Sequence, residues 1–155
     1  MPVTCREMMR TSASLTLLLA ATACANVPVA DPQADAEGKR FDNPAPGGGA
    51  LYIYRSELMG FARPIDINLA GGSGAALGAR TYVRFEGPPG PVDIACRIGD
   101  RQGQLEVMIE PGRTRFVEAS TKVGLMLPDC QLNEVSPDQG RAAVAQAKRV
   151  NPQGR

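Results

Sequence analysis

The chain has 155 residues, 17 Lys+Arg against 16 Asp+Glu, four Cys, and neither His nor Trp. That length sets one compact domain as the ceiling once a targeting segment is set aside. The missing His removes the imidazole base, the His-ligated metal and the His-activated nucleophile, so no metal site and no cofactor are expected. A net charge of +1 supplies no global field to attract nucleic acid.

The N-terminus reads as a bacterial export signal occupying residues 1–23. Arg6 and Arg10 form a positive region, Leu15, Leu17, Leu18, Leu19, Ala20 and Ala21 a short apolar run, and Ala21-Thr22-Ala23 the small residues a signal peptidase requires. The run is far shorter than the roughly 20 residues that span a bilayer. Cys24 follows at once, and Leu19-Ala20-Ala21-Thr22-Ala23-Cys24 resembles a lipobox, in which the Cys is acylated and becomes the new N-terminus. Ala21 stands where Leu is usual, and plain cleavage at Ala-x-Ala, leaving Cys24 bare, is the alternative. Ala25 after the Cys, where Asp would resemble an inner-membrane retention signal, favours the outer membrane. Acyl chains would anchor the chain to a membrane without spanning it. Loss of Arg6, Glu7 and Arg10 with the signal leaves 15 cationic and 15 anionic residues, a mature charge of zero.

Residues 24–49 carry Pro28, Pro32, Pro44, Pro46 and Gly47-Gly48-Gly49 with little apolar periodicity, which predicts a flexible tether in which Phe41 alone docks. A domain is expected over residues 50–150. Leu51/Ile53 alternate with Tyr52/Tyr54, and Ile65, Ile67 and Leu69 with Asp66 and Asn68; a glycine turn at 71–74 then leads to a short piece at Ala75–Leu77. Further strands are expected at Tyr82–Phe85, Val92–Cys96, Leu105–Ile109 and Phe116-Val117, with weaker signals at Leu125–Leu127 and Cys130–Val135. Short strands parted by Pro/Gly turns predict a mainly β domain, an antiparallel β-sandwich or small barrel. Ser136 as N-cap, Pro137 at the first helical position and the alanine-rich run to Ala147 predict one C-terminal helix, with Lys148 and Arg149 complementing its dipole. Residues 151–155 are expected to be a disordered tail.

Cys5 leaves with the signal and Cys24 is consumed by lipid if acylated, so Cys96 and Cys130 remain; an oxidising compartment favours a disulfide between them over two free thiols or a redox pair. The run Gly71–Gly78 lacks the Gly-Lys-Ser/Thr ending of a phosphate loop and reads as a hairpin. Asp66, Asp93, Glu106 and Glu118 fit solvated strand faces better than an acid/base pair, and Ser56, Ser73 and Ser120 have no His partner. Tyr52, Tyr54, Arg55, Tyr82 and Arg84 define an aromatic–Arg face that could bind a carboxylate, a glycan or another protein; solvent-facing strands with ordinary ion pairs are the plainer alternative.

The order of these features resembles an uncharacterised bacterial lipoprotein family, domain of unknown function 2846. The resemblance rests on Cys24, the lead-in Lys39-Arg40-Phe41 and Pro44-Ala45-Pro46-Gly47, and the strand Ala50-Leu51-Tyr52-Ile53-Tyr54-Arg55. It continues through Ile65–Leu69 before a glycine hairpin, Thr81-Tyr82-Val83 after it, Pro89-Gly90, and Glu110-Pro111-Gly112-Arg113, covering about residues 39–148. The hairpin here is richer in Gly and Ala than the family's Asp-Gly-Lys type, and Arg115-Phe116 replaces paired aromatics. The resemblance implies a small β-sandwich-like fold on a lipid anchor and supplies no catalytic residues. The expectation is a periplasm-facing envelope lipoprotein, non-enzymatic, that binds an envelope protein or cell-wall component. The alternatives are a glycan-acting enzyme using carboxylates and a structural or stress-related surface lipoprotein without a ligand.

Overall fold

A computed structural model describes residues 27–57, 63–123 and 128–154. The expected export signal, Cys5, Cys24 and the expected strand at Leu125–Leu127 lie outside those residues. The described chain forms two five-stranded sheets packed face to face, a sandwich and not a closed barrel. The first sheet contains β1 (Gly49–Arg55), β4 (Thr81–Gly87), β7 (Thr114–Val123), β8 (Pro128–Val135) and β9 (Lys148–Arg149), in the order β8-β7-β1-β4-β9. The second contains β2 (Ile65–Leu69), β3 (Ser73–Leu77), β5 (Gly90–Ile98), β6 (Arg101–Ile109) and β10 (Gln153–Gly154), in the order β10-β3-β2-β5-β6.

The alternation read from the sequence builds the main core. Leu51, Ile53, Val83 and Val117 from the first sheet face Ile65, Ile67, Leu77, Ile94 and Val107 from the second, all buried. The β2–β3 hairpin turns at Gly71 and Gly72, whose φ of 107° and 93° lie in the region that only glycine enters freely. Two pairings depart from the antiparallel expectation: β1 runs parallel to β7 and β4 parallel to β9. A parallel pair needs a long crossover, and here Ala50 meets Thr114 only after β2, β3, β5 and β6 of the second sheet have been laid down.

The tether expectation is corrected. Residues 32–38 form a helix, α1 (Pro32–Gly38), started by Asp31, whose carboxylate accepts the Ala34 N–H at 2.9 Å, with proline in the first turn. Val29 bridges to Val150, and Ala30 is buried. Among the described residues the folded body therefore already includes Val27, well before Ala50, and Phe41 docks among several neighbours instead of alone. The disordered tail is corrected likewise, since Gln153 and Gly154 pair with Gly74 and Ser73 of β3.

The C-terminal helix α2 (Pro137–Ala145) has the expected Ser136 cap, completed by Gln139 as a reciprocal capping box. Lys148 and Arg149 do not serve its dipole; the helix stops at Ala145 and they form β9. The run from β9 to β10 then crosses from the first sheet to the second, with Val150 buried between them.

At the opposite edge, β6 and β8 come close enough that a side chain on Gly103 would collide with the Cys130 carbonyl. There Cys96 of β5 and Cys130 of β8 form a disulfide that links the sheets. The bridge closes a loop with a sequence separation of 34. Chain-entropy estimates for such a loop give roughly 3–4 kcal/mol. Urea unfolding of the Cys96→Ala/Cys130→Ala chain should show that loss, and an unchanged midpoint would mean the bridge adds nothing.

Candidate functional site

Tyr52, Tyr54, Arg55 and Tyr82 do not form a surface. All four are 3% exposed or less, so the proposed aromatic–Arg binding face is corrected to a second core. The reason lies in β1, every residue of which is buried. Leu51 and Ile53 point into the sandwich, while Tyr52 and Tyr54 point to the opposite side, where Phe41, Phe116, Val144 and Ala147 join them. Tyr52 stacks on Phe116 and Tyr82 at centroid distances of 5.1 and 5.9 Å. Phe41, held at a φ of 55°, turns its ring back to 5.6 Å from Tyr52. The phenols find buried acceptors: Tyr52 donates to the Gly38 carbonyl at 2.7 Å and Tyr82 to the Asp35 carbonyl at 3.1 Å. Gly38 lets α1 lie against the Tyr82 ring and Gly140 lets α2 lie against Phe116, where a Cβ would collide in each case.

Arg84 is the one member of the expected face that reaches the boundary. Its guanidinium sits 5.7 Å from the Tyr52 ring centre and pairs with Glu86. Arg55 is buried at the far end of β1, where its Nη1 donates to the carbonyls of Arg63 and Leu77 and its Nη2 lies 3.1 Å from Glu57. Glu57 in turn accepts the Thr121 N–H and hydroxyl, each at 2.7 Å. Burial pushes the Glu57 carboxyl up, but the Thr121 and Arg55 bonds outweigh it and hold it below its usual range. This network ties β1, β2, β3 and β7 together.

The strand carboxylates do not converge in a cleft. Asp93 and Glu106 are register partners on β5 and β6, both exposed on the open outer face of the second sheet. Asp66 lies 3.8 Å from Arg97 on that face, beside a polar depression, and Glu118 accepts the Ser56 hydroxyl on the other sheet.

Among the described residues, one apolar concavity has the character of a binding site. At the end of the sandwich where β1 begins, the two sheets splay and leave a cavity of about 340 Å³. Leu51 and Phe85 line it from the first sheet; Leu69, Val92 and Ile109 line it from the second. The β2–β3 turn and the segment Pro88-Pro89-Gly90-Pro91 form its rim. Leu69, Phe85 and Val92 are only partly buried, so apolar surface is left open at the mouth. Among the described lining residues Glu86 alone is ionisable, and it is paired with Arg84. Such a cleft can take an apolar group; its lining offers no nucleophile–base pair. The Pro88-Pro89-Gly90-Pro91 run directly after the Phe85 strand reads in the sequence as a strand stop and does not mark a cleft. Among the described residues no helix is long and apolar enough to cross a membrane, and no three His, Cys, Asp or Glu side chains gather as metal ligands.

The buried tyrosines set a pH limit. Burial, then the nearby Glu118 charge, pushes the Tyr54 phenol up to about 12, and burial raises Tyr52 and Tyr82 as well. The unfolded chain ionises its tyrosines near 10, so their protonated folded forms contribute stability that is complete below that pH and is lost as pH rises towards about 12. Tyrosinate absorbance of the native protein should lag that of the urea-denatured protein, and stability should fall between those values. Coincident titrations would contradict the buried cluster.

No protein-family model matches the chain. It is 24% identical over 140 residues to an uncharacterised protein of Haemophilus influenzae, a similarity that covers 90% of this chain and 83% of the relative.

Proposed function

We propose that the protein is a lipid-anchored, periplasm-facing component of the bacterial cell envelope, on the outer membrane, whose sandwich is a non-enzymatic binding module. The ligand we assign to it is an apolar side chain or short apolar segment of an envelope protein. The apolar cleft between Leu51, Leu69, Phe85, Val92 and Ile109 is the observation that carries this reading. It favours a protein over a cell-wall glycan, because a sugar needs several polar partners and the lining side chains offer only Ser73 and the already paired Glu86. The anchor rests on the positive region, apolar run, small residues and Cys24 in succession, and the order of strands and turns fits the lipoprotein family resembled.

Filling the cleft with one Leu- or Phe-sized side chain contributes about 1.5–3 kcal/mol, enough for a modest contact that neighbouring surface must supplement. A photo-crosslinking residue at Phe85 in intact cells should capture a discrete envelope protein that one at Glu106, on the outer face, does not. Val92→Asp should abolish the adduct while circular dichroism shows the sandwich intact. Identical adducts from both positions, or an adduct that survives Val92→Asp, would remove the cleft from the function. For the anchor, a clickable palmitate should label the wild-type chain and not Cys24→Ser; label retained on that variant would sink it.

A further inference from the structure

The outer face of the second sheet meets water, and the strand register sorts its side chains into rows. Gln153, Gly74, Asn68 and Ala95 stand side by side across β10, β3, β2 and β5; Ala76, Asp66 and Arg97 form the next row. The short residues Gly74, Ala76 and Ala95 flank the polar side chains of β2, and the sheet is hollowed there into a depression of about 270 Å³. Asp66, Asn68, Arg97 and Gln153 supply its polar lining. The hollow is a requirement of packing. A Cβ on Gly74 would lie 2.7 Å from the Ile67 carbonyl oxygen and 3.2 Å from the Asn68 Oδ1, so no larger residue fills it. Gln153 is carried to the rim by the pairing of β10 with Gly74.

The Asp66 carboxylate and the Arg97 guanidinium are 3.8 Å apart, beyond hydrogen-bond length, so both keep bonding capacity for a ligand. The lining is neutral, with one carboxylate against one guanidinium, and it mixes bonding types. The carboxylate only accepts, the guanidinium only donates, and the two carboxamides do both. An anion is opposed by Asp66 itself and by Asp93 and Glu106 on the same face. An apolar group would leave all four side chains without a partner. Neighbouring sugar hydroxyls, each a donor and an acceptor, satisfy both kinds at once. The polar partners whose scarcity turns a sugar away from the apolar cleft are present here. The volume lies just under the roughly 300–1,000 Å³ of pockets for drug-sized ligands, which limits the occupant to one ring.

We propose that this depression binds one ring of a neutral sugar, with Asp66 accepting from one hydroxyl, Arg97 donating to its neighbour, and Asn68 and Gln153 completing the set. The site lies on a sheet face, apart from the apolar cleft, and rests neither on the lipid anchor nor on the protein partner. A shallow one-ring site binds weakly, with a Kd on the order of 1 mM. Loss of any one of the four groups weakens it about fivefold, the worth of one hydrogen bond.

The test is an amide-shift titration of the isotope-labelled chain, kept unacylated by Cys24→Ser, with N-acetylglucosamine, glucose, galactose and mannose. At least one of these neutral sugars should move the backbone amides of Asp66, Asn68, Gly74 and Arg97 to saturation. Arg97→Ala and Asn68→Ala should each raise the midpoint about fivefold. Arg97 is exposed, so its substitution tests the site without burdening the fold. Glu106→Gln, elsewhere on the same face, and Val92→Asp, in the cleft, should leave the midpoint unchanged. Three results would each overturn the proposal: no saturable shift with any of the four sugars, shifts confined to Leu51, Phe85 and Val92, or an equal response to glycine as a zwitterion. Val92→Asp removes the crosslinked adduct but spares the sugar response, so the cleft reading and this one fail separately.

Discussion

The architecture depends on β1 having no solvent face. As the central strand of its sheet it is flanked by β7 and β4, its aliphatic side chains are sealed by the second sheet, and its tyrosines must be sealed by something else. That requirement explains the outer layer: α1, α2 and the turn carrying Phe41 cover Tyr52, Tyr54 and Tyr82, and the Tyr52 and Tyr82 hydroxyls are satisfied by the carbonyls of Gly38 and Asp35. A buried phenol without an acceptor would cost about 1–3 kcal/mol, so these helix carbonyls make the aromatic layer affordable. The sandwich is consequently three layers deep on one side and bare on the other.

The two faces of the molecule differ for the same reason. The outer face of the second sheet carries Asp66, Asp93, Arg97 and Glu106 in water, whereas the outer face of the first carries aromatics under helices. The apolar concavity falls at neither face but at an end, where the strands outrun the core that fills the middle. This separates stability from recognition: the rings and the Arg55–Glu57–Thr121 network hold the middle and one end, and the opposite end keeps a few aliphatic groups partly uncovered.

Much of the sheet was legible locally. Alternation found Leu51, Ile53, Ile65, Ile67, Ile94 and Val107, and all of them face the core. Gly71 and Gly72 marked the hairpin because positive φ is a local requirement. The aromatic face was misread because period-two alternation says only that Tyr52 and Tyr54 share a side, and an amphipathic phenol suits a wet face or a helix-covered one equally well. What covers a face is a long-range fact. The helix α1 had a readable start, Asp31-Pro32, formally like Ser136-Pro137, but at 7 residues it is only about two turns long and lies in a stretch whose other prolines and glycines signalled spacer. The cleft was illegible because it is made by two sheets diverging, which no single strand records. The parallel pairing of β1 with β7 was hidden for the same reason.

That pairing governs when the molecule can exist. β1 remains without one of its neighbours until residues 114–118 are available, and the sheet edges at β4 and β3 are covered only by β9 and β10. No contiguous N-terminal portion of the described chain contains a finished sheet, and its contacts are dominated by distant partners, the topology that folds slowly. A chain emerging or threading N-terminus first therefore stays pliable until almost its last residues have appeared, and then closes in one cooperative step.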